Sequence, residues 1–458
     1  MIFIITNVIM NKTYKTPTST GLAQGEAVYD QLKTWNCIKN LRAMVCDTTA
    51  SNTGKDRGAM VRLIRLVKQA LFFLGCRHHI SELLAKNPWE ASFGKSPAPD
   101  VKMFIKLKEN WPQVDTSLQV RTVKIPSEEK KEELLNLFTK LLEKKDFLRG
   151  DYQELAEISV VMLGGKLPGD KAMVWKKPGA THKAHFMAFG LLVLKIFAFS
   201  EQKVVKDNCL SDVVEVEDKE GKQKAKNNNK PEKKKTKKIL VFNPDQEERV
   251  KRFCVFALSF YIPMFFTSSW GCDAPDNDLQ LYKELLAFKE IDNTLASSAL
   301  TTLDRHRWYL APPVVMFSLF SKKVSDETKA RMVEKLLSFE KPEEARLDLP
   351  EYPTVTEDSE LWDFVRPHSW DFFTILKVEA DWLTWPLDEW EESEDFRKAR
   401  KFVTTVKVVN DAAERGIKLA SDYVQSLTKD SDVRQKLFQT VEYHRREKAD
   451  IKKSTANK

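Results

Sequence analysis

An α/β core joined to a larger all-helical region is the fold class this sequence predicts. Two short apolar runs, LRAMVC at 41–46 and ALFFLGC at 70–76, read as buried strands with a helix-forming segment between them. From residue 99 onward the texture changes, and amphipathic or long apolar segments replace strand-like ones. A globular composition, 42% hydrophobic and 31% charged, excludes a collagenous or wholly disordered chain, and no run of 18 apolar residues offers a membrane span.

The opening MIFIITNVIM is apolar but lacks a basic flank and is interrupted by Asn7, so it reads as a strand of the folded body rather than a secretion signal. After the turn-rich PTSTG, residues 22–35 place Ala23, Val28, Leu32 and Trp35 at helical spacing. The strand at 41–46 ends in the polar cluster Asp47-Thr48-Thr49-Ala50-Ser51-Asn52-Thr53-Gly54. A basic amphipathic helix is expected over 59–69, the second strand over 70–76, and a further helix from RHHISELLAK. Helices between successive strands imply parallel pairing. FIKLKENW, EEKKEELLNLFTKLLEKKD, HKAHFMAFGLLVLKIFAF, PDQEERVKRFCVFALSFYIPMFF and ETKARMVEKLLSF then read as helices, and residues 396–427 as a terminal one. The expected organisation is a core part at 1–90, a helical insertion at 91–395 with a disordered Lys-rich loop at 207–238, a C-terminal helix at 396–448 returning to the core, and a tail at 449–458.

The formal charge of +8 comes from one place. KEGKQKAKNNNKPEKKKTKK at 219–238 sets ten lysines against Glu220 and Glu232, which leaves the rest of the chain neutral. Composition alone therefore gives no warrant for a broadly basic nucleic-acid face, while the strip itself suits a solvated loop or a nuclear address. Six cysteines, sparse and set in or beside apolar runs, indicate a reducing compartment, nucleus or cytoplasm.

Three constellations could carry chemistry. Asp47 ends an apolar strand, where open α/β sheets collect ligands and catalytic groups; an Asp there can equally serve the following turn. Cys76-Arg77-His78-His79 presents a thiol and an imidazole one helical turn apart, which suits zinc only with two further ligands, such as His182 and His185. Glu414-Arg415 lies in VVNDAAERG, where Asp411 and Arg415 also have the spacing of a surface ion pair and Gly416 is costly in mid-helix. Arg305-His306-Arg307-Trp308-Tyr309 offers Arg305 and Arg307 for phosphate and Trp308 for stacking, or else a core segment. Trp362, Trp370, Trp382, Trp385 and Trp390 read first as packing residues.

In this order the pieces resemble the RNase H-like core of hAT-type DDE transposases. Asp-Thr-Thr-Ala-Ser-Asn-Thr-Gly after a strand, Cys-x-x-His after the next, a long helical insertion and then a Glu-Arg helix are that family's pattern. The chain is similar, over roughly residues 18–448, to transposase-like proteins of animal genomes carrying D-T-T-A-S-N-T-G, C-R-H-H and V-V-N-D-x-A-E-R-G. The resemblance implies an RNase H-like core interrupted by a helical insertion and closed by a C-terminal helix. It implies Asp47 and Glu414 as catalytic carboxylates holding Mg²⁺ or Mn²⁺, Cys76 and His79 as a structural pair, and Arg415 beside the Glu as a candidate nucleic-acid contact. DNA is the implied partner, with a homo-oligomer also expected.

One departure bears on activity. Two-metal strand cleavage needs three carboxylates, and residues 1–20 contain no Asp or Glu in the region where the first should stand. The core is thus expected to be incomplete, either through N-terminal shortening or through loss of the residue. The expectation is a catalytically defective transposase relic, with a non-catalytic nuclear scaffold for DNA or protein as the alternative. A zinc hydrolase centred on Cys76 and His79 is a third reading.

Overall fold

The computed structural model describes residues 2–4, 20–95, 101–144, 147, 149–181, 187–201, 203–205, 236–238, 242–348, 354–409, 428, 430 and 433. The described chain is mostly helical, with a small parallel sheet. It divides into two units, residues 1–88 with 260–458, and residues 89–259.

The first unit holds the sheet. Strand β1 (Ile2–Ile4) is followed by helix α1 (Gly21–Thr34), β2 (Ala43–Cys46), the single turn α2 (Ala50–Thr53), α3 (Ala59–Val67), β3 (Phe72–Gly75) and α4 (Arg77–Phe93). The order is β1-β2-β3, all parallel, with Ala43 opposite both Ile2 and Phe72. Residues 2–4 thus pair along an edge of β2 that would otherwise offer unpaired backbone groups. Every residue of β2 and β3 is buried, as expected of strands covered on both faces. Two glycines bring α1 against α2 and α3: a Cβ on Gly21 would lie 2.2 Å from the Ser51 carbonyl oxygen, and one on Gly25 would lie 2.7 Å from that of Ala59.

The second unit is helical, with α5 (Lys102–Asn110), α6 (Glu128–Lys144), α7 (Gly150–Met162), α8 (Ala188–Phe199) and α9 (Pro244–Phe256). All of α8 is buried, which explains a segment apolar on every side. Trp89 anchors this core, stacked on Phe93 at 4.1 Å and edge-on to Phe253 at 5.1 Å. Lys195, within α8, is buried against Glu154 at 2.6 Å and donates to the Lys176 carbonyl at 2.7 Å. β4 (Lys203–Val205) pairs antiparallel with β5 (Thr236–Lys238). The last three residues of the expected Lys-rich loop are therefore strand; the rest of 206–235 lies outside the described residues. The continuous helical stretch Pro244–Thr267 is long and apolar enough to cross a membrane by length and composition, and 67% of its apolar window is buried inside the protein.

The chain then returns to the sheet unit with α10 (Ile262–Thr267), α11 (Ala274–Asp304), α12 (Asp326–Leu337), α13 (Asp371–Leu376) and α14 (Glu394–Thr405). The sequence grouped residues 260–395 with the insertion; in the structure they belong to the sheet unit, and the inserted unit ends at Ser259. The reason is non-local packing. Phe317 and Phe372 meet Phe72 of β3 at 4.9 and 5.8 Å. Trp382 and Trp390, both buried, join Phe396 in one aromatic cluster, with Trp382 and Phe396 5.0 Å apart. The expected helix at 396–427 also departs: α14 stops at Thr405, and Val406–Val409 is extended. The run Val403-Thr404-Thr405-Val406, with Val408 and Val409, is rich in β-branched side chains, which favour that change.

Candidate functional site

The carboxyl ends of β2 and β3 build the site. Cys76 donates its N–H to the Cys46 carbonyl at 2.7 Å, which brings the two strand ends level. Asp47 follows directly. Its Oδ1 accepts from the Thr49 N–H at 3.0 Å, the Thr49 hydroxyl at 2.6 Å and Asn52 Nδ2 at 2.7 Å. The polar cluster after the strand is therefore a self-organised turn around one carboxylate oxygen. Cys76 is buried. Arg77 is fully buried, ion-paired to Asp278 of α11, and its guanidinium lies 5.4 Å from the Tyr309 ring centroid. His78 stacks on Phe265 at 4.1 Å, with Nε2 3.0 Å from the Phe265 carbonyl.

His79, on the first turn of α4, faces this edge. Burial holds its imidazole below the usual range; the Asp47 carboxylate opposes that shift and Lys86 adds to it. His306 is pushed down to about 4, first by burial and then by His79 and Arg305. The structure thus gathers Asp47, His79 and His306 in one electrostatic neighbourhood, from three distant parts of the sequence. Both shifts favour the neutral imidazole.

The 305–309 segment docks on the sheet through Gly75. A Cβ there would meet the Trp308 ring at 2.1 Å and Thr48 Cγ2 at 3.3 Å, so only glycine admits the ring. The Tyr309 hydroxyl donates to the Gly75 carbonyl at 2.6 Å. Trp308 is only 3% exposed, which removes it as a base-stacking surface and corrects that expectation. Arg305 is exposed, whereas Arg307 lies against Asp304, its guanidinium 3.8 Å from the carboxylate. His306, quoted in the sequence only as part of the motif, lies near enough to His79 to be affected by it.

Residues 406–409 return the chain to the same edge. Val408 donates to the Ser269 carbonyl at 3.1 Å and accepts from the Arg77 N–H at 2.9 Å, and Gly271 donates to Val406 at 3.0 Å. Glu414 and Arg415 lie outside the described residues, as do His182 and His185.

Among the described residues no three His, Cys, Asp or Glu side chains are grouped so as to hold a metal ion. Asp47 directly follows β2 with one of its oxygens committed to three donors, and Asp278, which reaches the end of β3, is ion-paired to Arg77. These residues do not fit a two-metal centre, and Cys76 with His79 has no further pair of ligands among them for zinc. No protein-family model, no curated protein and no solved structure matches the chain.

Proposed function

We propose that this chain is a transposase-derived protein with an RNase H-like sheet, interrupted by the helical unit at 89–259, whose strand-cleaving site is defective. The observation that carries the reading is the convergence at one sheet edge. Asp47 ends the middle strand, Cys76 and His79 follow the next, and Val408 is bonded to Arg77 at that same end. Glu414 is six residues beyond Val408, a span of at most about 21 Å. A helical unit inserted between strand and return agrees with the same pattern. The chemistry is incomplete because β1, the strand paired beside β2, reads Ile2-Phe3-Ile4 and supplies no carboxylate.

A nicking assay on supercoiled DNA with Mg²⁺ or Mn²⁺ tests this. No cleavage above a metal-free control is expected, while DNA is still bound; metal-dependent nicking abolished by Asp47→Asn would overturn the defective site. The incomplete carboxylate set also favours a second reading, a non-catalytic nuclear scaffold. A titration of DNA binding against salt bears on both, since counterion release predicts a steep loss of affinity. Deleting 219–238 separates binding by the fold from binding by the Lys-rich strip.

A further inference from the structure

Of the three exposed tryptophans, Trp35, Trp270 and Trp385, Trp270 is the one with a cation recorded over its ring among the described residues. Trp270, in the loop between α10 and α11, is 44% exposed although its backbone is fixed. It forms an antiparallel bridge with Lys407, flanked by the bonds from Gly271 to Val406 and from Val408 to Ser269. Those flanking bonds make Trp270 and Lys407 a non-hydrogen-bonded pair, the kind whose side chains approach most closely. Val406 and Val408 point into the core, fully buried, so Lys407 is turned outward. Its ammonium lies 5.4 Å from the Trp270 ring centroid and has no carboxylate partner among the described residues. Lys323 adds a second cation near this loop, 3.8 Å from Asp273.

An exposed indole with an ammonium over its ring matches a ligand that carries a planar ring and an anion side by side, the ring taking the uncovered indole surface and the anion the ammonium. A nucleotide has both, and an aliphatic or simple acidic peptide has only one. The position adds a direction: Val408, next to Lys407, is bonded to the first residue after Cys76, so the pair sits along the edge that carries Asp47 and His79. We propose that Trp270 and Lys407 form a nucleotide contact for single-stranded nucleic acid, the base stacking on Trp270 and its phosphate meeting Lys407. This rests on the nucleic-acid reading above and supplies a contact outside the Lys-rich strip.

The test is fluorescence anisotropy of the full chain with a labelled oligothymidylate, across a salt series. Trp270→Ala is expected to weaken binding roughly 5- to 150-fold, the range for losing one stacked base. Trp270→Phe should retain most of the affinity and controls for folding, because the ring is half-exposed. Lys407→Gln should flatten the slope of log K against log salt by about 0.7, the value for one single-strand phosphate. Repeating the series on a chain with 219–238 deleted removes the strip's own binding from these ratios. Wild-type binding that Trp270→Ala and Lys407→Gln both leave unchanged overturns the contact but not the nucleic-acid reading. Absence of salt-dependent binding by the wild type overturns both. An acidic aromatic peptide that displaces the oligonucleotide at equal charge, with the same sensitivity to Trp270→Ala, overturns the choice of nucleic acid as ligand.

Discussion

Replacing Gly75 by alanine should loosen the whole candidate edge. The added Cβ would stand 2.1 Å from two carbons of the Trp308 ring, well over 1 Å inside an ordinary contact. The ring has little room to retreat: Trp308 is 3% exposed, lies edge-on to Phe73 at 5.4 Å, and is followed by Tyr309, whose hydroxyl holds the Gly75 carbonyl at 2.6 Å. Overpacking of a filled core costs typically 1–3 kcal/mol, and a rigid indole places this case in the upper half, about 2–3 kcal/mol. Urea unfolding followed by circular dichroism measures it. Trp308→Leu opens the space, so the double variant should show a coupling of at least about 1 kcal/mol relative to the two single changes. A Gly75→Ala protein within about 0.5 kcal/mol of wild type, or strict additivity with Trp308→Leu, would refute the argument that glycine is there to admit the ring.

Arg77→Met should cost about 3–5 kcal/mol in thermal or urea unfolding, because it leaves the Asp278 carboxylate buried without its cation; Arg77→Met with Asp278→Leu should recover much of the loss. The same logic applies in the helical unit, where Glu154→Ala strands the buried Lys195 while Glu154→Leu with Lys195→Met should be close to neutral. His306 has a folded pKa of about 4, below its unfolded value of about 6.5. Its contribution is therefore complete above pH 6.5 and is lost as pH falls towards 4, by at most about 1.4 kcal/mol per pH unit. His306→Gln should flatten the stability profile in that window, as pH-dependent unfolding curves would show.

The strands and most helices were legible because their signals are local. LRAMVC and ALFFLGC became β2 and β3, and the helical segments between them required the parallel pairing that is seen. Asp47 was legible as the residue ending a strand, though not that Thr49 and Asn52 would fold back onto its Oδ1. What the sequence hid was non-local. Nothing in the spacing of RHRWY shows that it will close on a strand more than 200 residues earlier. Gly75, an isolated glycine in an apolar strand, was the one available sign of a close approach. The placement of 260–395 was hidden for the same reason: its helices look alike in sequence to those of the inserted unit, and contacts such as those of Phe317 and Phe372 with Phe72, Asp278 with Arg77 and Tyr309 with Gly75 distinguish them. The early end of α14 was readable in principle from its β-branched run, which the charged helical residues before it outweighed.

The central claim is that the chain after Val408 completes the edge begun by Asp47. The most direct measurement is the distance between the Asp47 and Glu414 carboxylates in an experimental structure of the full chain. The account predicts a separation of about 8 Å or less, the span of a site built around metals ~4 Å apart. A separation of about 20 Å would contradict it, and Asp47 would then be only the residue that organises its own turn.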